Sequence, residues 1–199
     1  MKMSRTVYRD WCEASQITIS AAVLLMAGCA YVGSARDFDP AEFSRDPRWL
    51  RCDAVPLILQ REQKDCGAAA AAMVLAHWNR PVAPGEISAR LKTGENRRIG
   101  AEDLLSFLES RGLQAFLVPG TAVDLERQVL KGRPVIVGLV KPFLDRATPH
   151  YEVVVAVHPV EKRVVTLDPA RGWRENHLDG LFAEWEPAGR LLLVAWEPE

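Results

Sequence analysis

Apolar positions along this chain fall into runs of different kinds, and each kind predicts a different element. From Ile17 to Ala27 the chain is almost wholly apolar for 11 residues, too short to cross a bilayer as a helix. Lys2, Arg5 and Arg9 precede this run, and small residues close it in Leu25-Met26-Ala27-Gly28-Cys29. A basic start, an apolar stretch and small residues at the end are the layout of an export signal, so residues 1–28 are set aside from the fold. A second run, Ala68 to Leu75, is apolar nearly all round. It predicts a buried helix over Cys66 to Asn79, with Asp65 placed to cap its start and Pro81 stopping it. Three further stretches are helical: Pro84 to Leu91, Ala101 to Arg111 and Ala122 to Lys131. The second of these puts Leu104, Leu105 and Leu108 on one face and ends at Gly112; the third ends at Gly132. Gln114 to Val118, Pro134 to Val140, Tyr151 to His158, Arg163 to Leu167 and Arg190 to Trp196 are rich in β-branched and apolar residues between turn signals, and read as strands. Val55 to Leu59 is a short extended run. Helices come first and strands later, which predicts an α+β fold rather than alternating βαβ units.

Composition changes this picture in two places. The chain's 199 residues suit one compact domain with appendages. Residues 29–54 carry Gly33, Ser34, Pro40, Ser44, Pro47 and many charges without sustained periodicity, and read as a tether reaching at most roughly 80 Å. Phe38, Phe43 and Trp49 are apolar handles by which part of it can pack on the domain, which is taken as residues 55–199. The formal net charge of −1 gives no basic field for nucleic acid. Losing residues 1–28 removes three bases (Lys2, Arg5, Arg9) and two acids (Asp10, Glu13), leaving −2. The junction at Cys29 resembles the bacterial lipoprotein signal. That resemblance implies a lipid on the Cys29 thiol and a cell-envelope location. In a bacterium with two membranes, Ala30 rather than Asp after the cysteine implies sorting to the periplasmic face of the outer membrane. Cys52 and Cys66 then remain in a compartment that permits disulfides. Either they pair with each other, or at least one has a chemical role.

Candidate chemistry gathers at three places. In Gln60-Arg61-Glu62-Gln63-Lys64-Asp65-Cys66-Gly67 a cysteine stands in the first turn of a helix. There the helix dipole and free backbone N–H groups stabilise a thiolate. Gly67 keeps the chain slim, and the Cys66 N–H with the Gln60 amide can form an oxyanion hole. Alone, Cys66 would also serve as a small buried hydrophobe. His150, in Pro149-His150-Tyr151-Glu152, is expected just after a loop at the start of a strand, where it can shuttle a proton. Asp168 ends the next strand. A hairpin of 151–158 with 163–167 brings it to the same edge as His150, where a carboxylate can orient the imidazole. Neither His77 nor His158 has a zinc-like spacing to these groups, so no metal or cofactor is expected.

Gln60 and Cys66-Gly67, His150 followed by Tyr151 and a β-branched strand, and Asp168-Pro169-Ala170-Arg171-Gly172 together resemble the bacteriocin-processing peptidases. These are papain-like cysteine peptidases that cut leader peptides after a double glycine. The order fits, with 84 residues from Cys66 to His150 and 18 more to Asp168. Arg133-Pro134-Val135-Ile136-Val137 resembles the family's strand ahead of the histidine. The resemblance covers residues 55–197. It implies a papain-like fold with helices packed on an antiparallel sheet. Cys66 would be nucleophile, His150 general base, Asp168 its partner and Gln60 the oxyanion-hole donor. The implied substrate is a peptide or exported protein, and secretion or envelope machinery is a further class of partner. A catalytically silent lipoprotein that keeps the fold to bind a peptide or an envelope protein is the alternative. A Cys52–Cys66 disulfide would silence the enzyme.

Overall fold

The computed structural model describes residues 34–92, 98–143 and 146–198. The signal segment, Cys29 and Arg97 lie outside the described residues. Among the described residues no helix is long and apolar enough to cross a membrane.

Among the described residues the eight strands are β1 (Arg36–Asp37), β2 (Leu50–Arg51), β3 (Gln114–Pro119), β4 (Val135–Phe143), β5 (Arg146–His158), β6 (Arg163–Asp168), β7 (Gly172–His177) and β8 (Leu191–Trp196). They form one antiparallel sheet; seven run in the order β1-β7-β6-β5-β4-β8-β3, and β2 joins off this path beside β5. The helices are α1 (Glu42–Arg45), α2 (Cys66–His77), α3 (Pro84–Leu91), α4 (Ala101–Ser110), α5 (Ala122–Leu130) and α6 (Leu178–Trp185). The expected α+β architecture, helices on an antiparallel sheet, is the one observed.

Helix α2 is the centre of the packing. Every residue from Cys66 to Leu75 is buried, and Ala68 to Ala72 are fully so. Five small side chains let the helix lie close against the sheet, and alanine loses the least on entering a helix. The helix stops two residues short of expectation. Asn79 takes φ +56, and the Arg80 N–H returns to the Leu75 carbonyl at 2.8 Å, so a left-handed residue closes the end. Asp65 does not cap the start. Its φ/ψ of −95/6 departs from the extended cap geometry, and its buried carboxylate turns instead to Ser88 Oγ (2.9 Å) and the Lys92 ammonium. This ties the start of α2 to α3. Helix α5 is capped by Thr121, whose Oγ1 accepts from the Asp124 N–H at 3.2 Å while Asp124 Oδ2 accepts from the Thr121 N–H at 3.0 Å.

The stretch expected as a tether belongs in large part to the sheet. Strand β1 pairs with β7, and β2 pairs with β5 where β4 has ended, at Leu50↔Val157 and Arg51↔Ala156. Phe38 and Trp49 are buried, and with Phe43 and Trp173 they form an aromatic cluster with centroids 4.8–6.4 Å apart. The apolar handles outweigh the local charge and loop composition, so the folded unit begins ahead of Val55.

Candidate active site

Strand β5 carries the histidine, though not where the sequence suggested. His150 lies inside β5, opposite Leu139 of β4, rather than at a strand start. Pro149 read as a loop because proline cannot donate to a ladder. Strand β6, however, stops at Asp168, so on its β6 side β5 is an edge around Pro149 and no sheet bond is lost there. That same edge gives the His150 ring room to face α2. The predicted hairpin is present: β5 and β6 pair antiparallel from His158↔Arg163 to Val153↔Leu167.

Three side chains meet at this edge. His150 Nε2 lies 2.8 Å from Asp168 Oδ1, and that oxygen also accepts from the Ala170 N–H at 2.7 Å. Cys66, 4% exposed at the first turn of α2, is hydrogen-bonded to the His150 ring. With Nε2 on Asp168, the nitrogen left for the thiol is Nδ1. The backbone N–H of Tyr151 also donates to Cys66. Burial pushes the Cys66 thiol up, but the His150 bond and charge, the Tyr151 N–H and the Arg98 guanidinium outweigh it, and the thiol lies below its ordinary value. Burial works to lower His150, yet the hydrogen bonds to Asp168 and Cys66 and the nearby charge of Glu152 raise it to about 10. Asp168 is pushed up by burial and drawn further down by His150, the Ala170 N–H and Lys141, for a net lowering. Hydrogen bonding and charge thus act to acidify Cys66 and to hold the proton on His150 beside Asp168.

Gln60 is stitched to the same corner, its N–H donating to the Pro169 carbonyl at 2.8 Å. Its side-chain oxygen is buried with no hydrogen-bond partner among the described residues. Gly67 has a reason the sequence did not reveal: a Cβ there would sit 3.2 Å from the Tyr151 ring. Arg98 donates to the Pro149 carbonyl at 3.1 Å and adds positive charge near Cys66.

The remaining candidates lie elsewhere. Cys52 and Cys66 are both free thiols. Burial, then Asp53, pushes Cys52 up to about 12, leaving it inert at neutral pH. His77, at the other end of α2, bonds the Gly132 carbonyl at 2.9 Å. Two groups of possible metal-ligand atoms come within 4.8 Å of one another among the described residues: Asp46, His158, Glu161 and His150, Glu152, Asp168. Arg48 bridges the two carboxylates of the first at 2.7 and 2.9 Å. In the second, Glu152 is committed to Lys141 and Thr166.

The model of the Peptidase C39 family matches residues 54–199. None of the curated proteins matches the chain. Among solved structures it is similar to the peptidase domain of Streptococcus ComA, a bi-functional ABC transporter involved in quorum sensing, with 19% identity and a TM-score of 0.61 over 72% of this chain and 99% of that one. A double glycine motif protease from an AMS/PCAT transporter, in complex with its leader peptide, is 22% identical with a TM-score of 0.58 over 74% and 94%. A C39-like peptidase from Bacillus anthracis is 14% identical with a TM-score of 0.61 over 76% and 98%.

Proposed function

Since the chain belongs to the Peptidase C39 family, we propose that it is a cysteine peptidase held at the bacterial envelope by lipid on Cys29. The observation that carries the reading is the continuous Cys66–His150–Asp168 chain at the first turn of a buried helix. The Cys66 thiolate attacks a peptide carbonyl and forms a tetrahedral oxyanion. The Cys66 N–H and the Gln60 amide stabilise that charge, which supports the oxyanion-hole role. His150 gives its proton to the leaving amine; it then takes one from the water that hydrolyses the thioester. Asp168 keeps the imidazole oriented and offsets its charge throughout. The substrate class is a peptide or exported protein with a glycine-rich leader, in keeping with the leader peptide bound to the AMS/PCAT protease.

The test is peptide-resolved alkylation of Cys66 against pH in the full chain. A midpoint below the ordinary thiol value of 9.0 that rises in His150→Ala supports the ion pair. A midpoint indifferent to His150 sinks the proposal. Globomycin-sensitive processing at Cys29, read by mass spectrometry of the mature N-terminus, tests the anchor.

A further inference from the structure

Behind His150 the sheet buries more charge than packing requires. Glu152 follows His150 by two residues, so strand alternation puts both side chains on one face. Glu152 precedes Val153 and Asp168 follows Leu167, the last pair of the β5–β6 ladder. A ring nitrogen of His150 and one carboxylate oxygen from each acid all lie within 4.8 Å of one another. Glu152 is 2% exposed. Its Oε2 accepts from Thr166 Oγ1 at 2.6 Å, and its Oε1 lies 2.7 Å from Lys141 Nζ. Lys141, from β4, also reaches Glu184 of α6 at 2.5 Å, and Glu184 is fully buried. Two buried carboxylates thus share one ammonium. Burying such a set is expensive, and apolar residues of similar volume would be cheaper.

We propose that Glu152 is a positioning residue, a second anionic partner of His150 held behind Asp168 by Thr166 and Lys141. The role rests on the reading of His150 as the base. The charged groups around the ring are Cys66 from α2, Asp168 from β6, Glu152 on its own strand, Lys141 from β4, Glu184 from α6 and Arg98 beside Pro149. Arg98 and Lys141 oppose an imidazolium, so Cys66 and Asp168 must hold it against two cations and burial unless Glu152 contributes. Glu152 is among the charges that raise His150, and Lys141 among those that lower Asp168. Glu152 never touches the reacting atoms; it acts through His150.

The experiment is NMR titration of the His150 imidazole in the full chain, its signal assigned with His150→Ala. The wild-type midpoint is expected near 10. Glu152→Gln should lower it by about one unit, a tenfold change in proton affinity. The double variant Lys141→Met with Glu184→Gln removes the ammonium and its other carboxyl partner and keeps Glu152. It should not lower the midpoint, since a cation that opposes the imidazolium is lost and Glu152 remains. An unmoved midpoint in Glu152→Gln, or an equal fall in the double variant, overturns the proposal. Should Glu152→Gln not fold, Thr166→Val unpins the carboxylate without neutralising it. A smaller fall supports the proposal there, and none overturns it. Failure of the wild-type chain to cleave any peptide would count against the proposed activity and leave this titration unaffected.

Discussion

Strand β5 carries two histidines, each bonded through Nε2 to an aspartate, and the two pairs are built for different ends. His150 meets Asp168 at 2.8 Å and His158 meets Asp46 at 3.2 Å. The difference lies on the other ring nitrogen and around the acid. The second nitrogen of His150 is left for the Cys66 thiol, a group that can exchange a proton with it. Nδ1 of His158 instead accepts the Glu161 backbone N–H at 3.0 Å, so that nitrogen is taken by the chain and Nε2 is the one that faces Asp46. Asp168 answers to His150 and one backbone N–H. Asp46 is clamped by Arg48, whose hydrogen bonds hold its carboxyl far below the usual carboxylate range. His158 is fully buried, edge-on to Trp49 at 5.1 Å. A histidine–aspartate pair thus becomes chemistry only where a nucleophile completes it; elsewhere the same pair pins a chain segment to the sheet.

The largest test of this contrast removes the rings. His150→Ala or Cys66→Ala should cut peptide cleavage by about 10³-fold or more. His158→Ala should keep the rate within a few-fold but lower stability by about 2 kcal/mol, read by denaturant unfolding. Comparable rate losses in both would erase the distinction. Next come the acids. Asp168→Asn should lower turnover by about 10²–10⁴-fold and move the alkaline limb of the pH–rate profile downward. His150 has its proton above its unfolded value, so the active ion pair is lost as pH rises through about 10 in the wild type and earlier in the variant. Asp46→Asn should leave that limb in place. Gln60→Ala should lower turnover by about 10²-fold with little change in KM, since its amide is assigned to the oxyanion and not to ground-state binding. Arg48→Ala should have the smallest effect. Its side chain is half exposed, so stability should fall only slightly, with faster proteolytic nicking between residues 34 and 53 and no change in cleavage rate.

The parts of the fold legible in the sequence are those where one simple pattern governs the burial. The alanine-rich stretch could only be a buried helix, and the β-branched runs of β5 and β6 could hardly avoid a hairpin. Together these brought Cys66, His150 and Asp168 to one corner on paper. The region Gly172 to Trp185 was silent because its strand buries polar residues. Arg174, Glu175 and Asn176 are buried against Asp37, Arg36 and Ser34 of the N-terminal segment. Neither partner shows the apolar alternation of a strand, since each satisfies the other's charge. Glu152 was hidden similarly: its burial depends on Lys141, Thr166 and Glu184, far apart in sequence and joined only by the sheet and α6.

The incorporation of β1 and β2 into the sheet also changes how far an anchored domain can travel. If lipid holds Cys29, as proposed, only six residues separate it from Arg36 at the start of β1. Their contour length is about 25 Å, against roughly 80 Å for a tether running to Ala54. A leash of that length would keep the domain near the bilayer and raise its effective concentration toward anything emerging from that same surface. Cleavage would then favour substrates presented at the membrane over those free in the surrounding compartment.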